Sequence, residues 1–377
     1  MAVLNRKLSL MTGLRSMGGL VAVAAAGAVL LGVALPCAAK TDARSVIAQT
    51  QAIGPGGIQE LKTVEIGGIP QWINIRGNDR NNPILLFLHG GPGSPMMPLS
   101  WTFERPWEDF FTVVQWDQRG AGKTFSAAHR RPDPTLSMER MQSDTEEVIE
   151  WLLRTYGQKR LFLMGHSWGS ILGLRVAQHR PELLYAYVGV GQVINGRRNE
   201  VVGYRETLAR AQASGNQAAV AELTHLAPYP EEHGPTPLEK VIVERKWDRF
   251  FGGMLYGKTE EDDERIGALS PAYTRYDLGS VGPGELLSSQ ALLPQAIGVD
   301  FDGMTDFKCP IFLFAGAEDR TTPTSIVAEY FPKIRAPAKK LFIVPRAAHY
   351  VVNEAPGVVL VDLVNEVRPL AQAPAHQ

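Results

Sequence analysis

The chain of 377 residues balances 38 Lys plus Arg against 39 Asp plus Glu, a net charge of −1 that gives no electrostatic reason to expect nucleic acid as a partner. Its content of 45% hydrophobic and 20% charged residues excludes disorder over most of the length. Two cysteines, Cys37 and Cys309, exclude a disulfide scaffold and a cysteine-rich zinc site.

The first segment reads as an address. Arg6, Lys7 and Arg15 are followed by an uncharged stretch from Ser16 to Ala39, with an apolar middle and small residues at Ala38 and Ala39. That pattern predicts a secretory signal peptide over 1–39, cleaved before Lys40, and hence an exported protein, periplasmic or secreted. The alternative is an uncleaved membrane anchor over 16–39, since the run is just long enough to span a bilayer. Cleavage would leave Cys309 alone, so stability would have to come from the core.

Val64 and Ile66, a Gly67-Gly68 turn, then Trp72, Ile73 and Ile75 predict a hairpin. Ile84 to Leu88, Phe111 to Trp116 and Leu161 to Met164 are continuous apolar runs, which suit strands buried on both faces. Met141, Thr145, Val148, Ile149, Leu152, Leu153 and Tyr156 recur at helical spacing, and Gly157 supplies the stop. A helix from about Ser167 to His179 and a strand from Leu184 to Val190 follow. Strands alternating with helices predict an α/β fold, a mostly parallel, doubly wound sheet with active residues beyond the strands' carboxyl ends.

The alternation breaks over 193–304, a charged, helix-prone stretch punctuated by Pro228, Pro230, Pro235 and Pro237, and returns with strands at Ile311 to Phe314 and Lys340 to Val344 and a helix over about Gly357 to Val367. The domain reading is therefore a core in two parts, 40–192 and 305–370, an inserted helical cap over 193–304, and a disordered tail over 371–377.

Gly165-His166-Ser167-Trp168-Gly169 follows an apolar strand and opens a helix, as a nucleophile elbow requires. Its glycines let the backbone turn sharply, and the helix N-terminus offers N–H groups to a developing anion. A serine hydroxyl needs a base, and in this arrangement the histidine follows the serine. His89, His129 and His166 precede Ser167; His179 ends its helix, His225 and His233 fall in the cap, and His376 falls in the tail. His349, just after the last strand, remains. The carboxylate should follow the strand at Ile311 to Phe314, where Glu318 and Asp319 both stand; Asp319 is preferred because Arg320-Thr321-Thr322-Pro323 restarts a helix. Its role would be to hold the imidazole tautomer. The order Ser167, Asp319, His349 is that of a serine hydrolase working through an acyl-enzyme on an α/β-hydrolase fold. In His89-Gly90-Gly91-Pro92-Gly93, the N–H of Gly91 would form an oxyanion hole with that of Trp168.

Gly122-Lys123-Thr124 fails as a phosphate loop because Asp117 stands where glycine is needed, and Phe125 and Ile194 break two dinucleotide-like patterns. No metal-ligand motif occurs, so neither a metal nor another cofactor is expected.

His89-Gly90-Gly91-Pro92-Gly93, Trp116-Asp117-Gln118-Arg119-Gly120-Ala121-Gly122 and Ser167-Trp168-Gly169-Ser170 together resemble an α/β-hydrolase of the proline iminopeptidase (prolyl aminopeptidase) type. The resemblance implies cofactor-free release of N-terminal proline, or a similar small residue, from peptides. His166 stands where that group usually has glycine, and Ala348 replaces the glycine common before its histidine. An aminopeptidase must hold an α-ammonium, which makes Glu200, Glu206, Glu244 and Asp248 the candidate cap carboxylates. Trp247, Phe250, Phe251, Tyr256, Tyr273 and Tyr276 could wall a pocket or form the cap's own core. Two other readings stand beside this one: a carboxylesterase or lactonase on the same core, and a non-catalytic binding module. Either enzyme would take a small peptide or ester as its partner.

Overall fold

The computed structural model describes residues 42–257 and 260–372. The expected signal peptide, its alternative as an anchor over 16–39, and tail residues 373–377 lie outside the described residues. Among the described residues, no helix is long and apolar enough to cross a membrane.

Eight strands form one sheet: β1 (Ile58–Ile66), β2 (Ile69–Gly77), β3 (Ile84–Leu88), β4 (Thr112–Asp117), β5 (Leu161–His166), β6 (Leu184–Val190), β7 (Ile311–Gly316) and β8 (Lys339–Val344). Their order is β1-β2-β4-β3-β5-β6-β7-β8. The hairpin β1–β2 joins β4 antiparallel, and from β4 to β8 every neighbour is parallel. This is the mostly parallel α/β sheet that the alternation of strands and helices predicts.

The helices are α1 (Ala43–Thr50), α2 (Gly122–Ala127), α3 (Met138–Tyr156), α4 (Trp168–His179), α5 (Gly196–Ala213), α6 (Gln217–His225), α7 (Leu238–Phe250), α8 (Glu260–Gly267), α9 (Arg275–Ile297), α10 (Thr324–Tyr330), α11 (Val351–Glu354) and α12 (Pro356–Asp362). The side chain of Ser137 caps α3, and Gly157 closes it in the left-handed region at φ 66°. Helices α5 to α9 leave the sheet between β6 and β7.

The apolar runs are explained by two cores. Leu86 and Leu88 of β3 pack with Trp116, Leu163, Val148 and Ile171 on one face, while Leu85 and Phe87 pack with Phe111, Phe162, Met164 and Phe314 on the other. A strand buried on both sides has no polar face to alternate with. The α5–α9 segment has a cluster of its own, built from Ala211, Leu223, Tyr229, Val241 and Trp247.

Candidate active site

Ser167 sits between the end of β5 and the first residue of α4, at φ 52° and ψ −117°. A non-glycine residue in that region carries backbone strain on the order of 1–3 kcal/mol, held by its surroundings. Here the Ser167 N–H donates to Val190 O at 3.0 Å, and the Ser170 N–H to Ser167 O at 2.9 Å. Gly165 and Gly169 are needed for close approach: a Cβ on Gly165 would strike the main chain of Gly169, and one on Gly169 would strike that of Leu88.

His349 and Asp319 arrive on the loops that follow β8 and β7. The Asp319 carboxylate lies 3.0 Å from His349 Nδ1, and both residues are 3% exposed. Thr322 braces the pair: its N–H and hydroxyl donate to Asp319 Oδ1 and Oδ2, each at 2.8 Å, and its oxygen lies 3.2 Å from His349 Nδ1. With Nδ1–H given to the carboxylate, Nε2 is left as the basic nitrogen. The ring packs over Gly191, at the end of the strand whose Val190 holds Ser167; a side chain on Gly191 would meet it within 2.9 Å. Glu318 turns the other way, to Arg210 at 3.0 Å.

The loop after β3 is locked from behind by Gln118. His89 Nε2 accepts the Gln118 N–H at 3.2 Å, so its Nδ1–H is the donor to Gly90 O at 2.9 Å. Burial pushes His89 down to about 4. The Gln118 side chain then donates to His89 O at 3.3 Å and accepts from the Trp168 indole at 3.0 Å. One glutamine thus ties the loop carrying Gly91 to the helix that opens at Trp168. As the first residue of α4, Trp168 has an N–H with no intrahelical acceptor.

Gly91, Ser167, Trp168 and His349 lie at the base of a cavity of about 260 Å³ whose walls come from α5, α7 and α9. Ile171, Val193, Val241, Leu293 and Ile297 make much of it apolar. Among the described residues, Glu200 lines it, while Glu206, Glu244 and Asp248 do not. Glu200 is already engaged, accepting from Arg245 and from the Tyr229 hydroxyl. Glu244 is fully buried against Arg245 and Thr207, and Asp248 accepts from Thr321 at 2.8 Å. Burial raises both carboxyls above the usual range. Glu206 faces a separate groove beside Arg210 and Arg320.

Three charged residues outside those candidates also line the cavity, Arg245, Arg249 and Glu285. Glu285 stands on α9 beside the oxyanion loop, where a Cβ on Gly93 would lie 3.0 Å from Glu285 Cα. It is the lone charge from Leu278 to Ile297, and that isolation is the sequence signal that marks it.

The aromatic residues divide. Trp247 and Phe251 pack in the α5–α9 cluster, whereas Phe250, Tyr256 and Tyr276 are exposed. Tyr273 is buried and donates to Asp117 Oδ2. None of the six lines the cavity. Among the described residues, no group of three or more His, Cys, Asp or Glu is placed to hold a metal ion.

The alpha/beta hydrolase fold family matches residues 83–356 of the chain. The chain is 30% identical over 304 residues to the probable aminopeptidase YbaC of Bacillus subtilis (strain 168), covering 77% of this chain and 90% of that one. It is 38% identical over 106 residues to the proline iminopeptidase of Neisseria gonorrhoeae, covering 28% and 31%. Among solved structures it is similar to a proline iminopeptidase-related protein from Thermus thermophilus, with a TM-score of 0.57, 20% identity, and coverage of 83% and 99%.

Proposed function

Because the chain belongs to the alpha/beta hydrolase family, we propose that this hydrolase is an exported serine aminopeptidase that releases N-terminal proline, or a similar small residue, from short peptides. The observation that carries the reading is one cavity holding a strained serine, a histidine bonded to a buried carboxylate, and carboxylates in its wall. The aminopeptidase named among its relatives supports the substrate class.

In this reading Ser167 Oγ attacks the carbonyl carbon of the first residue while His349 Nε2 takes the hydroxyl proton. The N–H groups of Gly91 and Trp168 receive the oxyanion, each worth roughly 3–4 kcal/mol in the transition state. Collapse breaks the C–N bond, and His349 returns the proton to the leaving amine. Water then repeats the sequence on the acyl-enzyme, and Ser167 is regenerated. Asp319 holds the imidazole tautomer throughout.

The apolar wall suits a pyrrolidine or small aliphatic side chain, and Glu200 and Glu285 are the carboxylates in reach of an α-ammonium. The test is a pair of substrates, a proline arylamide with a free amine and its N-acylated counterpart. Free-amine turnover at least ~10²-fold above the blocked substrate is expected, since blocking leaves a cavity carboxylate without its cation. Equal turnover, or a preference for neutral acyl esters, replaces this reading with the esterase.

A further inference from the structure

The sheet alone accounts for part of what holds the loops of Asp319 and His349. The Ala317 N–H donates to Val344 O and the Glu318 N–H to Ala347 O, both at 2.9 Å. Beyond those bonds, the loops are held by the segment that follows α7. The Arg320 N–H donates to Gly253 O at 3.2 Å, and its guanidinium to Phe251 O at 2.6 Å. The His349 N–H donates to Met254 O at 3.2 Å. Glu354, on α11, closes the set: Oε2 accepts the Ala348 N–H at 2.6 Å and Oε1 accepts the Tyr256 N–H at 2.5 Å. Gly253 admits no side chain, because a Cβ there would overlap Asp248 Oδ1 and crowd Arg320.

Resting on the catalytic reading above, we propose that residues 251–256 form a strap that positions His349 against Asp319, with Glu354 as the positioning residue that clamps it. One carboxylate bridges two main-chain N–H groups, one in the strap and one immediately before His349. The strap also touches the reaction space, because Met254 lines the cavity while its carbonyl receives the His349 N–H. This edge of the cap is therefore part of what orients the base. It cannot swing away as a lid without releasing His349. A half-buried carboxylate accepting two N–H bonds is a directional anchor, and a misplacement of about 1 Å in a base costs on the order of 10²-fold in rate.

The test compares Glu354→Gln and Glu354→Ala with wild type. The glutamine keeps one acceptor oxygen in the same shape, so kcat should fall ~10-fold with KM within ~3-fold; the alanine should lose ~10²-fold. Phosphonylation of Ser167 by an active-site reagent should slow by the same factors, and the acid limb of the kcat/KM profile should move. A merely structural clamp would lower the unfolding midpoint and leave the rate per labelled molecule unchanged, which overturns the proposal. Should the alanine variant fail to fold, the glutamine variant decides. Wild-type protein that takes no label on Ser167 sinks the catalytic reading itself; wild type and variants labelled at one rate sink only the strap.

Discussion

The ring of His166 lies 4.8 Å from that of His349, centroid to centroid, and its Nε2 is 3.0 Å from the main-chain oxygen of His349. The carbonyl can only accept, so Nε2 carries the proton and Nδ1 is a bare acceptor, buried and without a partner. The residue beside the nucleophile thus supports the loop of the base while remaining neutral. Burial is the main cause that pushes it down to about 3.

This neutrality makes stability depend on pH. His166 and His89 titrate near 6.5 when unfolded, but at about 3 and about 4 in the fold. As pH falls from 6.5 toward 4, the unfolded chain takes up protons that the native state refuses, so stability drops by up to ~1.4 kcal/mol per pH unit for each histidine. His166→Gln keeps a donor to His349 O and does not titrate. Urea unfolding of this variant should show a pH slope between 6 and 4 that is shallower by about 1 kcal/mol per unit. Parallel slopes would mean that His166 is not kept neutral.

The opposite sign is expected at Glu104, which lines a different pocket. It is 2% exposed, accepts from Gln115, and is pushed by burial to about 7 from 4.5. Between pH 4.5 and 7 the native state holds a proton that the unfolded chain has released, so its contribution is lost as pH rises. Glu104→Gln should match wild type near pH 4.5 and exceed it by up to about 3 kcal/mol at about pH 8. A gap that stays constant across that range would count against a buried neutral acid.

Arg119 is a buried anchor of the segment behind the oxyanion loop. Its guanidinium forks onto Asp144 at 2.8 and 3.3 Å and reaches Asp133 at 2.6 Å. Arg119→Lys keeps the charge but not the fork, and Arg119→Ala removes that fork from the fully buried Asp144, leaving it Gln71 at 2.8 Å and Arg140 at 2.7 Å. The alanine should lose about 3–5 kcal/mol by chemical unfolding, and the lysine a smaller part of that. A loss below about 1 kcal/mol for the alanine would show that the network contributes little.

The sheet was largely legible because burial on both faces writes unbroken apolar runs, as at β3, β5 and β7, and because the hairpin turn is announced by Gly67-Gly68. Glu318 and Asp319 are adjacent acids that sequence alone could only rank; the turn onto Thr322 aims one at His349 and the other at Arg210. The carboxylates of α5 and α7 were harder. A charged residue inside a helix reads as substrate-facing or solvated, yet Glu244 and Asp248 are sunk against Thr207 and Thr321, partners brought in by tertiary packing. The strap to Glu354 has no local pattern at all, being built from main-chain groups of segments distant in sequence.

The carboxylate that meets the α-ammonium can be located by separating Glu200 from Glu285. Both line the cavity, but their surroundings differ. Glu200 is 4% exposed, with its oxygens committed to Arg245 and Tyr229, so its charge already has a cation. Glu200→Gln leaves Arg245 leaning on Glu244 alone and should cost stability, about 2–4 kcal/mol, lowering turnover of every substrate by a similar factor. Glu285 is half-buried at the cavity wall beside the oxyanion loop, next to the groups that would receive the substrate's first carbonyl. Glu285→Gln should therefore lower kcat/KM for a free-amine proline arylamide by ~10²-fold or more, while a neutral ester is hydrolysed as by wild type. The two substrates on the two variants give four ratios, and the expected pattern is a selective loss at Glu285 with a uniform one at Glu200. The reverse pattern would move the ammonium site to Glu200 and require Arg245 to swing away when substrate binds. Uniform losses at both would leave the cavity with no amine-specific carboxylate and favour an acyl pocket.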